Sequence, residues 1–79
     1  MKQVLYDIVT SIVNNPDKVV IDEKIDGDTT VLSLMVDESD LGKVIGKQGR
    51  IAKAIRTVVK AVANSNGKRV IVDISELLS

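Results

Sequence analysis

The segment with the clearest chemical potential is VIGKQGRIAKAI, which spans positions 44–55. Two glycines enclose a lysine and a glutamine in the turn Gly46–Gly49, and basic residues flank this turn on both sides: Lys43, Arg50 and Lys53. Glycines allow a ligand to approach the backbone closely, and clustered bases attract anions. The segment therefore predicts a phosphate-binding turn.

Two common phosphate-binding motifs do not fit this spacing. A P-loop has four residues between its glycines and a Ser or Thr after its lysine, but three residues separate Gly42 from Gly46, and Gln48 follows the lysine. A dinucleotide-binding fingerprint begins with a glycine after a strand, but Val44 holds that position here and a predicted helix precedes the turn. A G-x-x-G turn between two helices remains, and such turns clamp the backbone of a single-stranded nucleic acid.

The composition limits the other kinds of function. The chain contains no cysteine and no histidine, so the side chains that most often act as nucleophiles, general bases and transition-metal ligands are missing. We therefore expect no enzyme, no cofactor and no small-molecule substrate. Because Asp7 interrupts the N-terminal apolar residues and no apolar run approaches the roughly 18 residues of a membrane span, we expect a cytoplasmic protein without a membrane partner.

The charges are segregated along the chain although the formal net charge is zero. Residues 1–40 hold nine acids and three bases, whereas residues 41–72 hold eight bases and no acid. A helix face that is merely solvated normally mixes both signs, because opposite charges four residues apart stabilise each other. The segregation favours a face that binds a polyanion.

Apolar spacing predicts the elements that position the turn. An amphipathic first helix runs up to Pro16, and the strands KVVIDEKI and TVLSLMV follow, joined by a tight turn at 26–29. A short second helix, capped by Ser39 or Asp40, ends near Gly46. The segment RVIVDI forms a last strand.

The third predicted helix runs from about Gly49 to Asn64. Its predicted apolar stripe, widened by Ala52, Val59 and Ala63, consists of Ile51, Ile55, Val58 and Val62. The resulting order is α-β-β-α-α-β, in which two helices join the second and third strands and make them parallel. We expect an α+β fold, one domain over residues 1–79, with a three-stranded mixed sheet and helices packed on one face.

Together these features resemble the KH domain. The segment VIGKQGRIAKAI is similar to the KH signature, in which an apolar pair and a glycine precede two variable residues, a second glycine and a helix. The element order is similar to the bacterial, type II arrangement of that fold. A chain that consists of one such domain resembles the small bacterial KhpA-type RNA-binding proteins.

The resemblance implies a single-stranded RNA-binding protein and RNA chaperone, a post-transcriptional regulator that influences cell-envelope and cell-shape control. Family members pair with themselves or with a larger KhpB-type KH protein. Their turn clamps about four nucleotides, and apolar residues at the helix–turn boundary line a groove for the bases. The matching residues here are Lys43, Val44, Ile45, Gly46, Lys47, Gln48, Gly49, Arg50 and Lys53. One of Val44 and Ile45 is expected to belong to the core.

The third helix also predicts a partner surface. Its apolar arc is wider than one sheet face needs, and its small residues permit close helix–helix approach. We expect a symmetric dimer, which would also support a small core. The predicted interface is Ala54, Thr57, Val58 and Ala61.

Two alternative interpretations stay open. The chain can be a protein-interaction module whose nucleic-acid site is vestigial, although neither Lys47 nor Gln48 would repel a phosphate. It can also bind single-stranded DNA, because no residue type by itself indicates a contact with the ribose 2′-hydroxyl.

Overall fold

The computed structural model describes residues 1–77, and the predicted element order is confirmed. The helices are α1 (Lys2–Thr10), α2 (Glu38–Ile45) and α3 (Arg50–Ser65). The strands are β1 (Val20–Asp26), β2 (Thr29–Val36) and β3 (Arg69–Glu76). Single turns of 3₁₀ helix occupy Pro16–Lys18 and Lys47–Gly49. Among residues 1–77 there is no helix with both the length and the apolar character of a membrane span.

The three strands form the expected mixed sheet in the order β1-β2-β3. β1 pairs antiparallel with β2, with Ile21 opposite Leu34, and β3 pairs parallel with β2, with Val72 opposite Leu32. The parallel pairing follows from the two helices between β2 and β3, because a crossover of that length returns the chain to the same end of the sheet. β2 is the central strand, because it pairs with both of the others.

One face of the sheet carries the core. Residues of β2 alternate strictly, and Leu32, Leu34 and Val36 are fully buried under the helices. β3 contributes Val70 and Val72 to the same face, while its intervening residue Ile71 is half exposed on the opposite face. The period of two in these strands therefore places the helices on one side, as expected for α+β architecture.

The buried face of α3 differs from the predicted stripe. The residues that pack on the sheet are Ala52, Ile55, Val59 and Ala63. Two residues assigned to the stripe, Ile51 and Val58, are 38% and 47% exposed. Both halves of the predicted arc are apolar, and the half that contains Ala52, Val59 and Ala63 faces inwards. Ile55 is buried as predicted, whereas Ile51 and Val58 lie at the exposed border of the arc.

α1 ends earlier than predicted, at Thr10 instead of next to Pro16. The N–H groups of Asn14 and Asn15 donate to the carboxylate of Asp40, on α2, instead of to carbonyls of the first helix. The N-cap of α2 was also predicted wrongly. Asp37 is the cap and accepts a hydrogen bond from the N–H of Ser39, while Asp40 lies inside the helix and is buried.

The outer edge of β3 has a specific contact with α3. The N–H groups of Arg69 and Leu77 donate to carbonyls of Asp28 and Val36 on the β2 side, so alternate residues of β3 direct their backbone groups to β2. Val72 is separated from both residues by an odd number of positions, so its carbonyl points away from β2, towards the unpaired edge of the sheet. The Nε of Arg56 donates to that carbonyl at 3.1 Å, so a side chain of α3 covers the middle of this edge.

Candidate nucleic-acid interface

The turn Gly46–Gly49 joins α2 to α3 through an unusual backbone path. Gly46 has φ 73° and ψ 178°, and Gly49 has φ 74° and ψ 13°. Gln48 also has a positive φ, 56°, and it is the one non-glycine residue among residues 1–77 that does. Three of four residues therefore lie in conformations that L-amino acids rarely adopt. This path explains why the chain does not continue as one helix.

The two glycines are required for different reasons. A Cβ built on Gly46 would lie 2.6 Å from Cγ1 of Ile51, so the Ile51 side chain packs directly over the Gly46 backbone. A Cβ built on Gly49 would meet no atom within 4 Å. Gly49 is thus favoured by its left-handed φ, and the space beside it is open to a ligand.

The start of α3 has two features that favour an anion. The Gly46 N–H closes α2 by donating to the Gly42 carbonyl at 2.8 Å, the Gly49 N–H donates to the Gly46 carbonyl at a long 3.3 Å, and the Arg50 N–H donates to the Lys47 carbonyl. No side chain caps the N-terminus of α3, and its first turn contains no acid. The missing side-chain cap and the positive end of the helix dipole favour a phosphate at this position.

The predicted basic residues surround this helix start. Lys47 and Arg50 are exposed at the turn, and Lys43 and Lys53 are exposed one turn before and one turn after it. Lys43 is the one with an acidic neighbour, since its Nζ lies 4.0 Å from Oδ1 of Asp40. The four cations therefore present a continuous positive surface around the two glycines.

The structure separates the two apolar residues before the turn. Val44 is fully buried in the core, and Ile45 is 36% exposed. Successive residues of a helix point about 100° apart, so only one of the pair can face the interior. Val44 is therefore the core residue, and its assignment to the nucleic-acid surface is corrected; Ile45 is the exposed apolar side chain beside Gly46.

Asp40 supports the site in a way that the sequence did not predict. Its carboxylate is 1% exposed and accepts hydrogen bonds from the N–H of Asn14, the N–H of Asn15 and the Asn15 side-chain amide, at 3.0, 2.9 and 3.0 Å. Burial raises the pKa of this carboxyl group, but the hydrogen bonds outweigh burial and the net pKa lies below its ordinary value of 3.8. The buried charge fixes α2, and with it the turn, to the segment after α1.

An apolar groove of about 430 Å³ lies between α1 and α3, next to the turn. Ile8 and Ile12 line one side, Ile51, Ala54 and Val58 line the other, and Arg50 borders the groove at the end next to the turn. All four residues of the predicted partner surface are exposed: Ala54, Thr57, Val58 and Ala61. Ile8, Ile12 and Ile51 extend this surface beyond the prediction, because the predicted stripe placed Ile51 in the core.

Comparison with known proteins agrees with this geometry. A family described as "KhpA/KhpB, KH domain" matches residues 2–74. A Clostridium acetobutylicum protein named RNA-binding protein KhpA is 54% identical over 74 residues, which cover 94% of this chain and 99% of that protein. Proteins of the same name from Clostridium perfringens and Aquifex aeolicus are 50% and 47% identical, over 99% and 96% of their lengths.

Solved structures share the fold at low sequence identity. Part of Era from Aquifex aeolicus, crystallised with GDP and aluminium fluoride, superimposes with a TM-score of 0.63 at 15% identity. The match covers 94% of this chain and 29% of that one. A second Era structure, in complex with a segment of 16S ribosomal RNA, gives a TM-score of 0.57 at 16% identity. With its type II KH fold and close relatives over nearly its whole length, the chain belongs to the KhpA/KhpB KH-domain family.

Proposed function

We propose that the protein binds single-stranded RNA and clamps its backbone at the turn Gly46–Gly49. The observation that carries the proposal is the uncapped start of α3, which follows two positive-φ glycines and lies among four exposed bases. A phosphate placed there would lie at the positive end of the α3 dipole and interact with Lys47 and Arg50. That the similar proteins are named RNA-binding proteins supports RNA as the ligand.

The same surface suggests how the bases are held. Ile45 offers an exposed apolar side chain beside Gly46, and the chain has a single aromatic residue, Tyr6, which lies on α1. Base stacking on aromatic rings, which gives other RNA-binding modules much of their affinity, is therefore missing at the turn. We expect modest affinity and low sequence selectivity for one isolated domain.

Weak, unselective binding suits an RNA chaperone. We propose this role, and post-transcriptional regulation in the cytoplasm, from the family resemblance together with the small clamp. The resemblance also suggests that the protein acts with a KhpB-type KH protein in cell-envelope and cell-shape control. Two domains on one RNA would bind more tightly than either alone, because the second binding event becomes intramolecular.

We further propose that the chain forms a symmetric dimer through α3. Val58, 47% exposed, lies among three further exposed residues of the predicted surface: Ala54, Thr57 and Ala61. Sedimentation at micromolar concentrations should detect a dimer that Val58→Asp dissociates, because the substitution places a charge in an apolar contact. A monomer at high micromolar concentration, unchanged by Val58→Asp, would remove this part of the proposal.

The RNA proposal is tested by titrating a labelled single-stranded RNA at several salt concentrations. The variant Lys47→Asp, Gln48→Asp reverses the charge at the turn, and aspartate tolerates the left-handed conformation of Gln48. The matched control is Lys68→Asp, Asn66→Asp, which makes the same charge change in the exposed loop after α3. Circular dichroism first verifies that all three proteins are folded.

We expect the turn variant to lose at least about tenfold in affinity together with most of the salt dependence, while the control stays close to the wild type. An equal loss of affinity in both variants would show that binding depends on overall charge and not on the turn Gly46–Gly49. No binding by any protein would leave the interaction module as the better interpretation. A DNA strand of the same sequence, titrated in parallel, distinguishes the two sugars.

A further inference from the structure

Ile51 belongs to two surfaces at once. Its side chain packs over the backbone of Gly46, where an added Cβ would lie within 2.9 Å of three of its carbon atoms. The same side chain is 38% exposed and lines the α1–α3 groove with Ala54 and Val58. A molecule that covers the groove therefore contacts a residue that also supports the turn.

The turn depends on such support. Gly46 and Gln48 adopt positive φ values of 73° and 56°, and conformations of this kind persist only where surrounding contacts hold them. The hydrogen bond inside the turn, from the Gly49 N–H to the Gly46 carbonyl, is long at 3.3 Å. The packing of Ile51 on Gly46 is thus a contact that supports the first residue of the clamp.

The exposed strip of α3 is suited to a second copy of itself. Ile51, Ala54, Val58 and Ala61 follow one another at spacings of three, four and three residues, the pattern of a helix–helix seam. The four seam residues are uncharged: the exposed bases Lys53, Arg56 and Lys60 lie on the other flank of the helix, and Arg50 borders the groove at the N-terminal end of the seam.

An antiparallel pair of α3 helices matches large residues with small ones. With the two-fold axis between positions 54 and 58, Ile51 faces Ala61 of the second copy, and Ala54 faces its Val58. Every large side chain then meets an alanine, so two identical surfaces interlock without a clash. The large–small complementarity of the four uncharged seam residues identifies a second copy as the occupant of this surface, with Arg50 at its border.

We propose that pairing of the two copies strengthens RNA binding at each turn, and that Ile51 transmits the effect. The inference rests on the proposed function and adds its regulation. A second copy that packs on Ile51 restricts the side chain that supports Gly46, so ordering the clamp when RNA binds costs less free energy. By linkage, RNA binding strengthens pairing by the same factor.

The experiment uses an RNA of four nucleotides, which spans a single clamp and so excludes avidity. Its affinity is measured with the wild type above and below the dimer dissociation constant, and with Val58→Asp and Val58→Arg. Both substitutions disrupt the seam, but they change the field at the turn in opposite directions. A direct charge effect therefore has opposite signs in the two variants, whereas loss of coupling lowers affinity in both.

We expect affinity per site to fall about five- to tenfold on dilution to the monomer and in both variants. Hydrogen exchange at the Gly49 amide should become faster in the same samples, which reports the order of the turn directly. An unchanged affinity, opposite changes in the two Val58 variants, or a wild type that is always monomeric would each overturn the inference. In all three cases salt-dependent RNA binding at the turn would stand; absence of binding even to longer RNA would reject the proposed function itself.

Discussion

The two ends of α2 are built on opposite principles. At its start, Asp37 caps the helix and the buried Asp40 accepts three hydrogen bonds from Asn14 and Asn15. At its end, Gly46 turns the chain into a segment with a long 3.3 Å hydrogen bond, and no side chain caps the next helix. One end satisfies its polar groups within the fold, and the other leaves them available.

The difference shows how an eight-residue helix can present a glycine turn without losing its position. Helices this short are marginal by themselves, so their placement must come from tertiary contacts. In α2, Val44 in the core and Asp40 at the junction provide those contacts, both away from the turn. The glycine end is therefore free to be shaped for a ligand.

The largest effect should come from breaking the anchored end with Asp40→Asn. The N–H groups of Asn14 and Asn15 now donate to the Asp40 carboxylate. In the variant, the side-chain NH₂ would face one of these donors, which would then be buried without an acceptor. The control is Glu38→Gln, which removes an exposed acid from the same helical turn. We expect a clearly lower free energy of unfolding in urea for Asp40→Asn and little change for the control. Equal stabilities would contradict the anchoring role.

At the open end, the two glycines should differ when each is changed to alanine. Gly46→Ala combines an unfavourable φ with a clash against Ile51 and should cost about 3 kcal/mol of unfolding free energy. Gly49→Ala meets no neighbouring atom and should cost about 1 kcal/mol, for its positive φ alone. Urea unfolding measures both, and similar losses would show that Ile51 moves aside without difficulty.

Acid should weaken the anchored end selectively. The pKa of Asp40 is lowered on folding, so its carboxylate stabilises the fold above the unfolded value of 3.8, and this stabilisation is lost as the pH falls through the lower folded value. The pKa of Asp37 shifts in the same direction because the side chain and N–H of Ser39 donate to its carboxylate. The unfolding free energies of the wild type and Asp40→Asn should therefore begin to approach each other below about pH 3.8 and converge only below the lower folded pKa. A stability difference independent of pH would rule out the charge as its source.

The smallest effect is expected at Gln48. Asparagine adopts the left-handed conformation more readily than glutamine, so Gln48→Asn should raise the unfolding free energy by about 0.5 kcal/mol. Lys47→Asn is the neighbouring control, since Lys47 has no positive φ. The measurement is the thermal unfolding midpoint of each variant. A midpoint that rises for both variants, or for neither, would contradict relief of backbone strain at Gln48.

The strands and the turn could be predicted from sequence because their signals are local. The segment TVLSLMV was predicted as a strand, and β2 does alternate between buried and less buried residues, with Leu32, Leu34 and Val36 on one face. The glycine spacing placed Gly46–Gly49 between two helices, where the structure has it. Such patterns depend on the period of the backbone and need no knowledge of distant partners.

The errors occurred where a distant partner decides. Asp40 was assigned to the start of α2, but its role is set by backbone donors at positions 14 and 15, which no local pattern indicates. The apolar arc of α3 left two orientations open, and in the structure Ala52, Val59 and Ala63 are buried while Ile51 is partly exposed. Gln48 gave no signal, because glutamine has no preference for a left-handed turn.

The hydrogen bond from Arg56 to the Val72 carbonyl bears on the behaviour of the protein at high concentration. An open strand edge is a template on which other chains can polymerise. On β3 an incoming strand must first displace a guanidinium, and on β1 it meets the carboxylates of Asp22, Glu23 and Asp26. Both edges of the sheet therefore oppose the addition of further strands. We expect a concentrated solution of Arg56→Ala to become turbid sooner than one of the wild type.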